Sequence, residues 1–218
     1  MQNLNHLKSA IVFGSSGLVG LALLEQLLND DRYKTVKILV RKSIGIKHPK
    51  LDELIIDFNK FEDFRDQVTG DDLFCCLGTT LHNAGSAEAF RKVDFEWVRC
   101  CAVYGCENGI KNFIVVSSVG ANANSKNLYL RTKGEMEKAI AVFKFEKLVI
   151  LRPSILLGDR KTFRLGEVIG KFLVLLFSFL IPKRYKGVAA SVVAATMVNA
   201  SNHATFEGVI ENEQIISF

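Results

Sequence analysis

The run Ala10-Ile11-Val12-Phe13-Gly14-Ser15-Ser16-Gly17-Leu18-Val19-Gly20 decides how this chain is read. Its first four residues are an unbroken apolar stretch that predicts a buried strand. Glycines follow at 14, 17 and 20. Leu21, Leu24 and Leu28 then recur at i, i+3 and i+7, with Leu27 widening the same face, so a helix begins near Leu18. Strand, turn and helix in this order need a sharp reversal, a backbone that approaches a pyrophosphate closely, and tight packing of helix on strand. Removing Cβ meets all three needs. The free N–H groups and positive dipole end of the helix then face the phosphates, and Ser15 and Ser16 add hydroxyl donors. The expectation is a dinucleotide held by Gly14, Ser15, Ser16, Gly17, Leu18 and Gly20.

Outward from this loop, further apolar runs predict strands at Val36 to Val40, Leu54 to Ile56, Leu73 to Cys76, Phe113 to Val116 and Leu148 to Leu151. Continuous rather than alternating runs suit parallel strands covered on both faces. Segments 86–108 and 130–142 are long enough to be the intervening helices. Repeated strand and helix predict an α/β protein with a doubly wound parallel sheet, the Rossmann fold, and right-handed crossovers. After Pro153 the regularity fades. The whole chain, 1–218, reads as a single domain in which about 157–218 contributes a small C-terminal substrate lobe, a helix over 188–200 and a last short strand near Ile215.

The end of the second strand reaches the adenosine ribose, where a carboxylate suits the 2′-OH of NAD and a cation suits the 2′-phosphate of NADP. This chain has Arg41-Lys42 there and no carboxylate, which points to NADP(H). Asp57, past strand three, is placed for the adenine amino group. Leu77, Gly78 and Thr79, past strand four, are placed on the nicotinamide-ribose side, because ligands gather at the carboxyl ends of parallel strands.

Tyr129 and Lys133 form a YxxxK pair at the start of the helix between strands five and six. Residues four apart share a helix face, so the ammonium can make the phenol more acidic and also hold a ribose hydroxyl. Such a phenol exchanges a proton with a carbonyl or alcohol. Ser118, the later of two serines ending strand five, should project further towards the same oxygen, with Ser117 the alternative. Tyr33 and Lys37 repeat the spacing without helix or serine partner, a chance occurrence.

Bulk composition narrows the classes. The chain has 218 residues, 49% of them apolar and 23% charged, which is enough for one sizeable core and unlike a disordered chain. The net charge of +5 is spread over scattered basic residues, which argues against nucleic acid. Five cysteines at 75, 76, 100, 101 and 106 lack CxxC spacing and read as reduced core thiols, and the four histidines are too dispersed for a metal site. Met1 to Lys8 is largely polar and lacks a secretory pattern, which predicts a cytoplasmic protein. Phe172 to Ile181 is strongly apolar, yet at ten residues it is half the length of about 20 that a membrane helix needs.

Taken together, these motifs resemble the atypical short-chain dehydrogenases, and within them the Tat-interactive oxidoreductase branch. The resemblance covers nearly the whole chain. It is carried by Gly14 to Gly20, Val40-Arg41-Lys42, Ile56-Asp57-Phe58, Phe74 to Thr80, Val93-Asp94, Ser117-Ser118, Tyr129-Leu130 with Lys133-Gly134-Glu135, and Leu151-Arg152-Pro153. It implies NADP(H) binding, a Ser118-Tyr129-Lys133 site, and cofactor contacts from Pro153 to Leu156. The apolar Phe172 to Ile181 departs from the animal proteins of this branch, and reads either as a buried helix of the lobe or as a greasy substrate mouth or contact surface. Three functions are expected from this reading. First is an NADP(H)-dependent oxidoreductase acting on a small-molecule carbonyl or secondary alcohol. Second is an NADP(H)-sensing regulatory protein with little turnover and a protein partner. Last is a sugar-nucleotide epimerase, for which the segment after Pro153 looks short.

Overall fold

The computed structural model describes residues 7–158, 182–203 and 206–217. The strands are β1 (Lys8–Phe13), β2 (Tyr33–Val40), β3 (Leu51–Ile55), β4 (Asp72–Cys75), β5 (Asn112–Val116), β6 (Lys147–Arg152), the short β7 (Leu156–Leu157) and β8 (Val188–Ala189), and β9 (Gly208–Glu211). Among the described residues a seven-stranded parallel sheet runs in the order β3-β2-β1-β4-β5-β6-β9, with β7 and β8 paired beside it. The helices are α1 (Leu18–Leu28), α2 (Leu81–Ala84), α3 (Ala87–Arg91), α4 (Trp97–Glu107), α5 (Leu128–Ile140), α6 (Ala190–Asn202) and α7 (Asn212–Ile216). This is the expected Rossmann architecture.

Alternation along each strand sends the continuous apolar runs into two cores. Ala10 and Val12 join Phe74, Ile114 and Val149 beneath α1 and α6, while Ile11 and Phe13 join Leu73, Phe113 and Val115 beneath α4 and α5. On α1 the buried stripe is Val19, Leu23, Leu24, Leu27 and Leu28, whereas Leu21 is 46% exposed. Gly20, pressed against the Gly14 carbonyl, sets the inward face one residue away from Leu21.

Two expectations are adjusted. The single helix over 86–108 is α3 and α4 joined by one π turn at Lys92–Glu96. The last strand is Gly208–Glu211, and Ile215 lies beyond it in α7. The reason is local: Glu211 and Gln214 form a capping box that starts a helix at Asn212. Phe172 to Ile181 lies outside the described residues.

At the amino ends of the strands, buried Asp72 accepts hydrogen bonds from Tyr33 (2.6 Å), Asn112 (2.6 Å) and Lys8 (3.1 Å). The chance Tyr33/Lys37 pair therefore lies in a strand, with its phenol committed to structure. Burial first, and then the Asp72 charge, push the Tyr33 phenol well above its ordinary range. A group whose folded value lies above its unfolded value contributes stability fully below the unfolded value, about 10, and loses it as pH rises beyond. Urea denaturation should therefore show parent stability falling above about pH 10. Tyr33→Phe should lower stability at neutral pH by about 1 to 2 kcal/mol and flatten the alkaline fall. An unchanged alkaline slope would refute this assignment.

Candidate functional site

Gly14 leaves β1 with a φ of +78°, and a Cβ there would stand 2.6 Å from the Cys76 carbonyl carbon. Both conformation and contact demand glycine. The loop closes with the Gly17 N–H on the Gly14 carbonyl at 2.9 Å, and Gly17 then serves as the N-cap of α1 without a side chain in the way. β1 and β4 are adjacent at the point where strand order reverses, the position at which open α/β sheets take ligands. A cavity of about 610 Å³ opens there.

Of the expected cofactor residues, Gly14, Ser15, Ser16, Gly17, Arg41, Leu77, Gly78 and Thr79 line this cavity. The hydroxyl of Ser15 is buried without a partner among the described residues, as suits a donor meant for a phosphate. Gly20 packs behind the loop and half-buried Leu18 faces Gly158. Lys42 is exposed next to Arg41, outside the lining. Asp57 is also outside it: its carboxylate caps the 3₁₀ helix Phe58–Gln67 through the Asn59 N–H at 2.9 Å, and its neighbours Phe58 and Asn59 face the cavity instead. A hollow of about 770 Å³ lies towards the far end of α1, lined by Glu25, Asp30 and Asp31. Its acidic wall would repel phosphates, which makes the glycine-loop cavity the better fit to a phosphate-bearing ligand.

The chemical residues sit on α5 and at the end of β5. Asn127 caps α5, accepting from the Leu130 N–H at 3.1 Å, which fixes Tyr129 and Lys133 in its first turns. Lys133 is buried, and its Nζ lies 2.8 Å from Oδ1 of equally buried Asp94. Asp94 Oδ2 accepts from the Thr79 N–H at 2.8 Å. Burial pulls the lysine pKa down, but the Asp94 carboxylate and the Tyr129 oxygen outweigh it and hold the value above normal, so the side chain stays an ammonium. A Cβ on Gly78 would stand 3.4 Å from Asp94 Oδ1 and 3.6 Å from Lys133 Nζ, so the pair backs directly onto the cavity wall. The half-buried Tyr129 ring lies on Phe90, centroids 5.7 Å apart.

The two serines differ. Ser117 is buried and donates to Glu137, whose carboxylate is also gripped by Arg152. Ser118 is less buried, and its hydroxyl has one long contact, to the Val119 carbonyl at 3.4 Å. Pro153 is buried at the exit of β6, where its carbonyl accepts from the Val119 N–H at 3.0 Å and ties that exit to the serine loop. Tyr129, Lys133, Ser118 and Pro153 do not themselves line the cavity. Of the five free cysteines, Cys75 and Cys101 are buried and the other three half-buried.

Asp94, Phe90, Lys92 and Asn59 were not expected at the site. Lys92, on the π turn, lines the cavity and donates to Asn59 at 2.9 Å. Val93-Asp94 is among the stretches that carry the resemblance, but no role was attached to Asp94, whose partner is 39 positions along the chain.

Residues 14–172 match a family model described as NAD(P)H-binding. The chain belongs to this NAD(P)H-binding family. Relatives include the rat protein HTATIP2, 36% identical over 171 residues (77% of this chain, 69% of that one). The mitochondrial protein FMP52 of Candida albicans is 37% identical over 160 residues (70% and 69%). Among solved structures, MoeE5 in complex with UDP-glucose and NAD superposes with a TM-score of 0.70 at 14% identity (96% of this chain, 80% of that one). WbmH of Bordetella bronchiseptica in complex with NAD+ gives 0.73 at 14% (94% and 75%). These likenesses show the fold. Among the described residues no helix is long and apolar enough to cross a membrane.

Gly14→Ala should combine a strained left-handed backbone with a clash against β4, costing about 1 to 3 kcal/mol, and should abolish NAD(P)H binding. Thermal melts with and without NADH and NADPH check this, and a variant still stabilised by either cofactor would contradict it.

Proposed function

We propose that this member of the family is an NADP(H)-dependent oxidoreductase acting on a carbonyl or secondary alcohol through Ser118, Tyr129 and Lys133. The observation that carries the reading is the buried Lys133 ammonium, held against the cavity wall at Gly78 one helical turn from Tyr129. Bound NADP(H) supplies or accepts the hydride. The Tyr129 hydroxyl donates its proton to the carbonyl oxygen during reduction and recovers it during oxidation. Lys133 provides a fixed positive charge beside that phenol, and Ser118, whose hydroxyl is not committed as that of Ser117 is, steadies the same oxygen.

Preference for NADP(H) rests on Arg41, which lines the cavity at the end of β2, with exposed Lys42 beside it and Lys92 in the same lining. Pro153 and its loop bound the nicotinamide end in this reading, and Asp57 or its neighbour Asn59 meets the adenine. A cytoplasmic setting is part of this reading, whereas the fungal relatives are named as mitochondrial; fractionation of tagged protein decides between them.

Turnover of a carbonyl panel with NADPH should fall by about 100-fold or more in Tyr129→Phe, the size expected for loss of a general acid. Unchanged turnover would remove Tyr129 from the mechanism, and tight NADPH binding by an inert parent would favour an NADP(H) sensor that signals to a protein partner. Arg41→Ala should weaken NADPH by about 10-fold or more, the scale of one charge-assisted hydrogen bond, and leave NADH nearly unaffected. Equal losses in titrations of the two cofactors would refute the 2′-phosphate contact.

A further inference from the structure

Where the chain leaves β6 it builds a small surface that the cavity does not use. Past Pro153, Ile155 and Leu157 point outward, 64% and 47% exposed, while Leu156 between them packs on the core beneath α1 and α6. Pairing of Leu156 and Leu157 with Val188 and Ala189 brings the turn Lys183–Tyr185 alongside, where Tyr185 is 53% exposed. Leu157 lies across Gly187, so close that a Cβ there would stand 3.0 Å from it. The Ile155 carbonyl accepts from the Val188 N–H at 2.9 Å, and the Ser154 hydroxyl donates to the Tyr185 carbonyl at 3.0 Å. Buried Asn212 donates to the carbonyls of Lys183 (3.0 Å) and Lys186 (2.9 Å). The polar backbone of the turn is thus tied inward, and its side chains are left to face outward.

Exposed apolar side chains held together, rather than scattered singly, mark a contact site. The charges around these three decide what makes the contact. Lys183 and Arg184 are exposed and Lys186 is half-buried. Among the described residues neither lysine has a carboxylate within ion-pair distance, and Arg184 has only Glu211 at 3.8 Å, a carboxylate that Arg152 already holds at 2.9 Å. In sequence the apolar run Phe172 to Ile181 leads directly into Pro182 and these cations. We propose that this surface docks on an anionic lipid bilayer, with Ile155, Leu157 and Tyr185 entering the headgroup layer and Lys183, Arg184 and Lys186 meeting the lipid anions. Aliphatic and aromatic side chains with a basic fringe are what interfacial contact requires, because each attraction alone is too weak to hold a protein there. Three side chains beside a turn offer far less area than a stable protein interface buries. A second copy of the chain, related by a two-fold axis, would set the cations against each other. The surface lies just past the carboxyl end of β6, so docking brings the bilayer to the end of the sheet that carries Ser118 and Pro153. The proposal does not depend on the oxidoreductase reading.

The test is co-sedimentation of the full chain with vesicles of equal parts phosphatidylcholine and phosphatidylserine, against vesicles of phosphatidylcholine alone. The parent should bind the first and not the second, and should be released as salt is raised; equal binding to both, or to neither, would overturn the proposal. Lys183→Gln/Lys186→Gln should weaken binding by about 30-fold, the weight of two basic residues at an anionic surface. Tyr185→Ser and Leu157→Ser should each weaken it by about 10-fold. Lys34→Gln/Lys111→Gln removes the same charge from exposed positions in β2 and just before β5, at the amino ends of the strands, and should leave binding nearly unchanged. A loss as large as that of the Lys183/Lys186 variant would mean that only net charge is sensed, and would overturn the assignment of the surface. Hydrogen exchange of the parent gives a reading that needs no variant: vesicles should slow it at residues 154–157 and 183–188, and slowing confined to other residues would place the contact elsewhere. Self-association of the parent that Tyr185→Ser abolishes, with no binding to either vesicle, would make the surface a contact between copies and overturn the lipid reading.

Discussion

β1 and β4 leave the sheet side by side with no room for a side chain between them. The Gly14 Cα stands where a Cβ would strike the Cys76 carbonyl, and Gly20 presses α1 onto the Gly14 carbonyl from the other side. This contact of three backbones fixes the distance between the α1 N-terminus and the turn after β4, and so fixes the width of the cavity between them. Everything assigned to the site is referenced to it. The donors proposed for the phosphates follow Gly14, and Thr79, three residues past Cys76, meets Asp94. Through Asp94, the position of Lys133 on α5 is set by the same glycine contact, although the two lie 119 residues apart in sequence.

Three buried carboxylates then share the work of joining elements across the sheet. Asp72 collects Lys8, Tyr33 and Asn112 at the amino ends of the strands, Asp94 joins the π turn to α5 and the β4 exit, and Glu137 joins α5 to Ser117 and Arg152. Breaking one such buried pair costs about 3 to 5 kcal/mol, whereas replacing the pair by apolar groups is often neutral. Their net worth is therefore in position rather than in stability. Asp72 lies at the end of the sheet away from the cavity, where precise position has no chemical use, and its partners are correspondingly all structural. The other two lie at the carboxyl ends, beside the residues assigned to catalysis.

Much of this was legible in the sequence because the information is local. Glycines at 14, 17 and 20 act within seven residues, and the apolar runs of the strands report burial on both faces without reference to any partner. Tyr129 and Lys133 were legible for the same reason, being four apart on one helix. Asp94 and Phe90 were not, because their partners lie on another helix, and helical periodicity records which face is buried but not what it meets. Leu21 shows the limit within one element: three leucines at helical spacing fit a stripe, yet the packing of Gly20 turned the buried face by one residue. The final strand was missed because Gly208–Glu211 contains two apolar residues, too few for a pattern, and Ile215-Ile216 next to it offered a stronger but helical pair.

The charges along the cavity divide the labour of binding and chemistry. Arg41 and Lys92 line the cavity, and among the described residues neither has a carboxylate within ion-pair distance; Lys92 donates to the neutral Asn59 amide. An anionic ligand there gains attraction that no internal partner has to surrender. Behind the cavity wall at Gly78 the buried cation Lys133 is already matched by Asp94, so it attracts a free anion little and acts over a single helical turn. In the proposed reading, a cofactor with its negative charge on the pyrophosphate and adenosine half and an uncharged dihydronicotinamide at the other end meets a surface graded in the same sense. In the proposed oxidoreductase reading, the neutral end is then left to receive an uncharged carbonyl.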